Sequence, residues 1–120
     1  MLASNPMIEL AAPRSGAVTP ALAEYARELR SRYGEALLGV RLFGSFARGE
    51  ADEDSDVDVA VVLEQVDWRT RCAVIDLATD IGLPIDLRIS PTVFDRETWE
   101  RWRREERPLV MDIEREGVPL

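Results

Sequence analysis

The run Asp56-Val57-Asp58-Val59-Ala60-Val61-Val62-Leu63 constrains this chain more than any other stretch. It is rich in β-branched residues and too short for an independent helix, so it reads as a strand over Asp56–Leu63. Successive strand side chains point to opposite faces. Val57, Val59, Val61 and Leu63 therefore share one apolar face, while the other opens with Asp56 and Asp58 before turning apolar at Ala60 and Val62. Two carboxylates at this spacing lie about 6 to 7 Å apart along the backbone and can converge on one cation. Left bare at about 4 Å, with an effective dielectric near 20, such a pair would cost roughly 4 kcal/mol. A bound divalent cation reverses that penalty.

The remaining segments supply a partner sheet and covering helices. Leu37–Phe43 reads as a strand with Leu38, Val40 and Leu42 on one face, and it runs directly into Gly44 and Ser45. Thr19-Pro20 predicts a helix start, with the hydroxyl as cap and proline at the first helical position. Leu22, Tyr25, Ala26 and Leu29 follow at helical spacing, and Gly34 stops the run. A second amphipathic helix is expected from Trp68 to Ile81, closed by Gly82 and Pro84, with Trp68 as packing material and Trp102 in a similar role further on. Ile85–Ser90 alternates as a third strand with Asp86 on its polar side. Ser90-Pro91 reads as a further cap, and the charged helix Asp95–Arg107 has Glu97/Arg101 and Glu100/Arg104 at pairing distance. Pro108 breaks it, and Leu109–Glu116 forms a last helix. Residues 1–18 are expected to be a lead-in with one short element around Met7–Ala12, and residues 19–120 one domain. The fold expected is α/β: a small mixed sheet of about four strands, helices mainly on one face, the acidic cluster on the other.

Composition narrows the chemistry. A chain of 120 residues has room for one compact core. A formal net charge of −8 disfavours direct nucleic-acid binding and anionic lipid surfaces. There is no histidine, and Cys72 is the only cysteine, which excludes an intramolecular disulfide, Cys/His zinc sites and histidine-based triads. Chemistry must run on carboxylates, hydroxyls, arginine and a metal. An oxygen-only ligand set suits Mg²⁺ or Mn²⁺ and is poor for Zn²⁺. No window approaches the roughly 18 apolar residues of a membrane span, and no basic segment leads into an apolar run, so a cytoplasmic location is expected.

The chemistry-bearing stretch is Gly44-Ser45-Phe46-Ala47-Arg48-Gly49 followed by Ser55-Asp56-Val57-Asp58, with Asp86 on a later segment. Gly44 lets the backbone pass close to a ligand, Ser45 offers a hydroxyl and an N–H at the start of the next turn, and Arg48 adds a fixed positive charge. Asp52, Glu53 and Asp54 read as a solvated loop rather than extra ligands. The pattern resembles the signature of the DNA polymerase beta superfamily nucleotidyltransferases, most closely their minimal nucleotidyltransferase branch. Seven fixed positions at roughly 5% background each put chance occurrence near one in a billion per starting point, so the resemblance is specific. It covers about Val40 to Ser90, with the ending Pro108-Leu109 through Gly117-Val118 also similar.

The resemblance implies the polymerase-beta-like fold and two Mg²⁺ ions held by Asp56, Asp58 and Asp86, with the latter toward the acceptor. It implies nucleotide contacts from Gly44, Ser45, Arg48, Gly49 and Ser55, and ATP as substrate. It also implies a reaction in which an acceptor hydroxyl attacks the α-phosphorus and pyrophosphate leaves. Minimal nucleotidyltransferases are commonly paired with a separately encoded helical HEPN toxin, an RNase, which some neutralise by transferring AMP to a tyrosine. The expectation is therefore an antitoxin that adenylylates its HEPN partner, with the acceptor supplied by that other chain. Two alternatives stay open: a non-catalytic antitoxin that masks its partner by contact, and a stand-alone transferase for a small molecule.

Overall fold

The computed structural model describes residues 15–120 apart from Glu53. The short element expected around Met7–Ala12 lies outside the described residues. Helix α1 spans Ser15–Tyr33 and a 3-10 turn at Gly34–Ala36 leads into strand β1, Leu37–Phe43. The one-turn helix α2, Ser45–Arg48, follows at once. Strand β2 is Val57–Leu63, helix α3 Trp68–Gly82, and a second 3-10 turn covers Leu83–Ile85. Strand β3, Ile89–Asp95, passes directly into helix α4, Arg96–Arg104. Helix α5, Pro108–Glu116, and the two-residue strand β4, Val118–Pro119, complete the fold. The sheet order is β3-β2-β1-β4, with β1 antiparallel to β2 and β4, and β3 parallel to β2.

The alternation read in β2 is the one observed. Val57, Val59, Val61 and Leu63, with Val40 and Leu42 of β1, are buried against Leu22, Tyr25 and Leu29 of α1 and Val74, Leu77 and Ala78 of α3. The Tyr25 hydroxyl donates to the Val74 carbonyl at 2.8 Å, which ties the two long helices together. Burial, and then the neighbouring Tyr33, push that phenol well above its ordinary range. On the opposite face Ala60 and Val62 meet Phe94, Val110 and Ile113. Phe94 presents edges to Trp99 and Trp102, with centroids 5.1 and 5.7 Å away. The short helices α4 and α5 thus cover the far end of that face. Asp58 is the one residue of β2 that is not buried, and it stands at the open end.

Four local expectations need correction. Helix α1 starts at Ser15, with Pro20 inside it rather than at its first position. Extending the helix brings Val18, fully buried, into the core. That burial is worth about 1.5–3 kcal/mol, comparable with the roughly 3 kcal/mol that an interior proline costs. Thr19 does not cap; its Oγ1 is buried without a hydrogen-bond partner among the described residues.

The third strand lies at Ile89–Asp95, not Ile85–Ser90. Pro91 therefore sits within β3, tolerated because β3 is an edge strand. Trp68 is 76% exposed, because it opens α3 ahead of the face that begins at Val74. The charged helix pairs outward: Arg96 forks onto Glu64 at 2.9 and 2.7 Å, and Arg103 meets Glu114 at 3.0 Å. Asp67 and Asp95, accepting from the N–H of Thr70 and Thr98, cap α3 and α4. Among the described residues no helix is long and apolar enough to cross a membrane.

Candidate active site

The site is built at the N-terminal end of β2, the strand that lies between β1 and β3. From the β1 side, Phe43 pairs with Asp58, which places Gly44 directly beside the carboxylate. Gly44 has φ +77 and ψ −155, a backbone conformation open essentially to glycine alone. A Cβ there would collide with Asp58 Oδ2 and lie 3.2 Å from its Cγ. No side chain can therefore stand between this turn and the carboxylate. Buried Phe46 and Ala47 pin α2 to the core, and Gly49, with φ +74, closes the turn. Its hydrogen bonds run from Arg48 N to Gly44 O at 3.1 Å and from Glu50 N to Ser45 O at 2.9 Å.

Electrostatics marks Asp58 as the strained member. Burial first, and the nearby charge of Asp56 second, push its carboxyl above the usual aspartate range, with Arg48 partly opposing. Arg48 itself does not reach either aspartate; its Nε donates to Glu50 at 2.8 Å and its Nη1 to Glu116 at 3.2 Å. Those two hydrogen bonds, Glu50 first, raise its already high pKa. Asp56, one residue ahead of β2, accepts from Arg88 Nη1 at 3.3 Å, while Val57 N donates to the Arg88 carbonyl at 2.8 Å. The backbone and side chain of Arg88 thus fasten the lead-in of β3 to that of β2.

The loop before Asp56 is organised by Asp52. Its Oδ1 accepts from Asp54 N at 2.9 Å and from the Ser55 hydroxyl at 3.1 Å, and its own N–H donates to that hydroxyl at 2.9 Å. Asp86 lies at the end of the Leu83–Ile85 turn in the left-handed region, φ 53, which aspartate tolerates better than most residues. It lines a cleft of about 470 Å³ with Asp54, Ser55 and Asp56. The structure thus brings Gly44, Asp56 and Asp58 together and sets Asp86 in the cleft that Asp56 borders. Among the described residues no three acidic, cysteine or histidine side chains gather closely enough to hold a metal.

Sequence reasoning did not single out Arg88 or Glu116, and it read Asp52 only as part of a solvated loop. Arg88 had a local signal, two residues beyond Asp86. Glu116 lies 68 residues from Arg48, and no sequence pattern links them.

Paired carboxylates presented by a mixed sheet against a glycine turn are the arrangement that the sequence resemblance led us to expect. The family model of the nucleotidyltransferase domain matches residues 22–115. The chain belongs to that family, in its minimal nucleotidyltransferase branch, and is a nucleotidyltransferase. It is similar to the protein adenylyltransferase MntA of Thermococcus cleftensis, 41% identical over 68 residues that cover 55% of this chain and 67% of MntA. A solved structure provisionally assigned as a minimal nucleotidyltransferase superposes with a TM-score of 0.57 at 30% identity, covering 86% of this chain and 93% of that one. A chain of a mutant form of the MntA-HpeT toxin-antitoxin complex shares the fold with a TM-score of 0.53 at 22% identity, covering 82% of this chain and 70% of that one.

Proposed function

We propose that this chain transfers AMP from ATP to a tyrosine hydroxyl of a separately encoded HEPN toxin and acts, in the cytoplasm, as the antitoxin of that pair. The observation that carries the reading is the bare glycine turn pressed against Asp58, with Asp56 beside it at the open end of β2. The similarity to MntA supports a polypeptide acceptor, since that relative is a protein adenylyltransferase.

The Asp56/Asp58 pair is chemically suited to a hard divalent cation. Asp56 and Asp58 repel one another, Asp58 is held above its usual pKa, and Gly44 leaves its carboxylate accessible from the turn. These two aspartates would hold Mg²⁺, or Mn²⁺ in its place, with Asp86 as the acceptor-side carboxylate. When bound, the metal supplies a lowered acceptor pKa and neutralises charge on the leaving pyrophosphate.

The chain's own residues position and exclude. Gly44, Ser45 and Gly49 shape the turn that receives the triphosphate, and Ser55 with Asp52 holds the loop that presents Asp56. Arg48 acts through its field on Asp58 while anchored by Glu50 and Glu116. The bond formed joins the acceptor oxygen to the α-phosphorus, and the bond broken releases pyrophosphate.

The experiment is transfer of label from α-labelled ATP with Mg²⁺ to a co-purified partner, beside γ-labelled ATP and Asp58→Asn. Transfer of the α-label alone, lost in the variant, is the expected result. A stable complex that takes up no label under any nucleotide or metal would leave a masking antitoxin instead.

A further inference from the structure

Trp68, Cys72, Ile75, Thr79 and Leu83 follow one another at steps of three and four residues, so they form one stripe along α3 and into the turn after it. At 1.5 Å per residue the stripe is about 20 Å long. It is not core: Trp68 is 76% exposed, Ile75 41% and Leu83 73%, while Val74, Leu77 and Ala78 of the same helix face the interior. Apolar side chains scattered singly over a surface need no explanation, but a contiguous helical row of them marks a contact site.

We propose that the outer face of α3 is a docking surface for an amphipathic helix of the partner polypeptide, one that carries lysine or arginine beside its own apolar stripe. This rests on the reading above that the partner is a separate polypeptide, and not on the chemistry of transfer. The backbone N–H and C=O groups of α3 are bonded within the helix, so a strand has nothing to add to here, whereas a second helix packs its ridges into rows of this spacing. Charge selects the partner. Asp76 and Asp80, both exposed, flank the stripe one turn apart, and neither side chain has an ion pair or hydrogen bond among the described residues. Like charges at this spacing repel, and a cation from outside relieves both. Of the two arginines of α3, Arg71 donates to the Val93 carbonyl at 3.0 Å and Arg69 lies at the helix start beside Asp67, so neither neutralises the pair. A second copy of this chain would bring its own charge of −8 and the same two aspartates to the seam, and an anionic lipid surface would be repelled as well.

The test uses the whole chain with a photoreactive benzophenone side chain in place of Ile75, irradiated alone and with the polypeptide that co-purifies in the labelling experiment. Cross-linked peptides are then sequenced by mass spectrometry. The expected product joins position 75 to a partner segment with apolar residues at i, i+3 or i+4, and i+7 and with lysine or arginine beside them. The same group in place of Leu109, an exposed aliphatic of α5, should give no such product. The double variant Asp76→Lys, Asp80→Lys, shown to be folded by its melting curve, should bind the partner at least about 5-fold more weakly at low ionic strength and approach the parent in high salt. Cross-links from position 75 to a second copy or to residues 1–14, or equal binding by the double variant, would overturn the docking face. Label transfer without a cross-link would overturn it and leave the transfer reading standing, whereas the cross-link without transfer would keep the docking face and sink that reading. No co-purifying polypeptide at all would sink both.

Discussion

The two flanks of β2 are built from different materials. On the β1 side the contact surface is backbone: Gly44 in a glycine-only conformation, with α2 pinned by buried Phe46 and Ala47. On the β3 side it is side chain: Leu83, Ile85 and Arg88 project from a turn into solvent, and the ion pair Arg88–Asp56 is exposed at both ends, 79% and 40%. Backbone geometry cannot be changed one residue at a time without strain, whereas exposed side chains substitute at little cost. A fixed surface suits a ligand that never varies, such as a triphosphate. A surface of replaceable side chains suits a macromolecular partner that does.

The comparison breaks hardest at the residue both flanks share. Asp58→Asn should lower transfer by on the order of 10³-fold or more, since in the proposed reaction it removes one of the two carboxylate charges that would hold the metal. The same change should raise the stability of the metal-free chain by about 0.5–1 kcal/mol, a modest gain of the kind found where function conflicts with stability. The sign follows from the raised pKa of Asp58, whose causes are burial and Asp56. Its protonated form is favoured in the fold, so stability is fully present below the unfolded value, near pH 4, and falls as pH rises through the raised folded value. The advantage of the asparagine variant in urea melts should therefore vanish below about pH 4 and be constant near neutrality. A variant less stable than the parent at pH 7 would mean that Asp58 is held by favourable partners rather than strained.

Gly44→Ala tests the rigid flank alone. The methyl meets Asp58 Oδ2, and a backbone at φ +77, ψ −155 costs a non-glycine residue about 1–3 kcal/mol, so a total loss of roughly 2–4 kcal/mol is expected. Transfer should fall by about 10²-fold, because misplacement on the ångström scale is enough. Combining it with Asp58→Ala should recover the steric part, giving a coupling of about 1 kcal/mol in a double-mutant cycle. Strict additivity would show that the two residues do not touch.

The same contrast explains what the sequence made legible. β2, and β1 from Val40 onward, were readable because their period-two pattern is set by a core that covers one face, whereas Leu38, read with Val40 and Leu42, is exposed because the register shifts between Leu37 and Gly39. That Gly44 lies beside the Asp56/Asp58 pair was readable because the motif spacing between neighbouring strands is local information. The β3 flank was misread because Ile85-Asp86-Leu87 alternates like a strand, while Pro84 and the left-handed backbone at Asp86 turn it into a 3-10 corner. The start of α1 was missed because a local cap signal at Thr19-Pro20 lost to the burial of Val18. Arg96–Glu64 and Arg48–Glu116 span 32 and 68 residues, and no helical spacing rule reaches that far.

The smallest effect tests the open flank most directly. Arg88 is the one cation among the residues lining the cleft, and it occupies a carboxylate oxygen of Asp56 that a metal would need. An exposed pair of this kind contributes about 0–1 kcal/mol, so Arg88→Ala should change stability by no more than about 0.5 kcal/mol. Its effect on metal binding has a definite sign. Removing the competing guanidinium leaves Asp56 and Asp58 more negative, so half-saturation by Mn²⁺, read by electron paramagnetic resonance without nucleotide, should shift to lower concentration by about 2- to 5-fold. High salt, which screens the surface pair, should shrink that difference. Weaker Mn²⁺ binding in the variant would mean that Arg88 holds Asp56 in its ligand geometry, and the open flank would then be as preorganised as the glycine side.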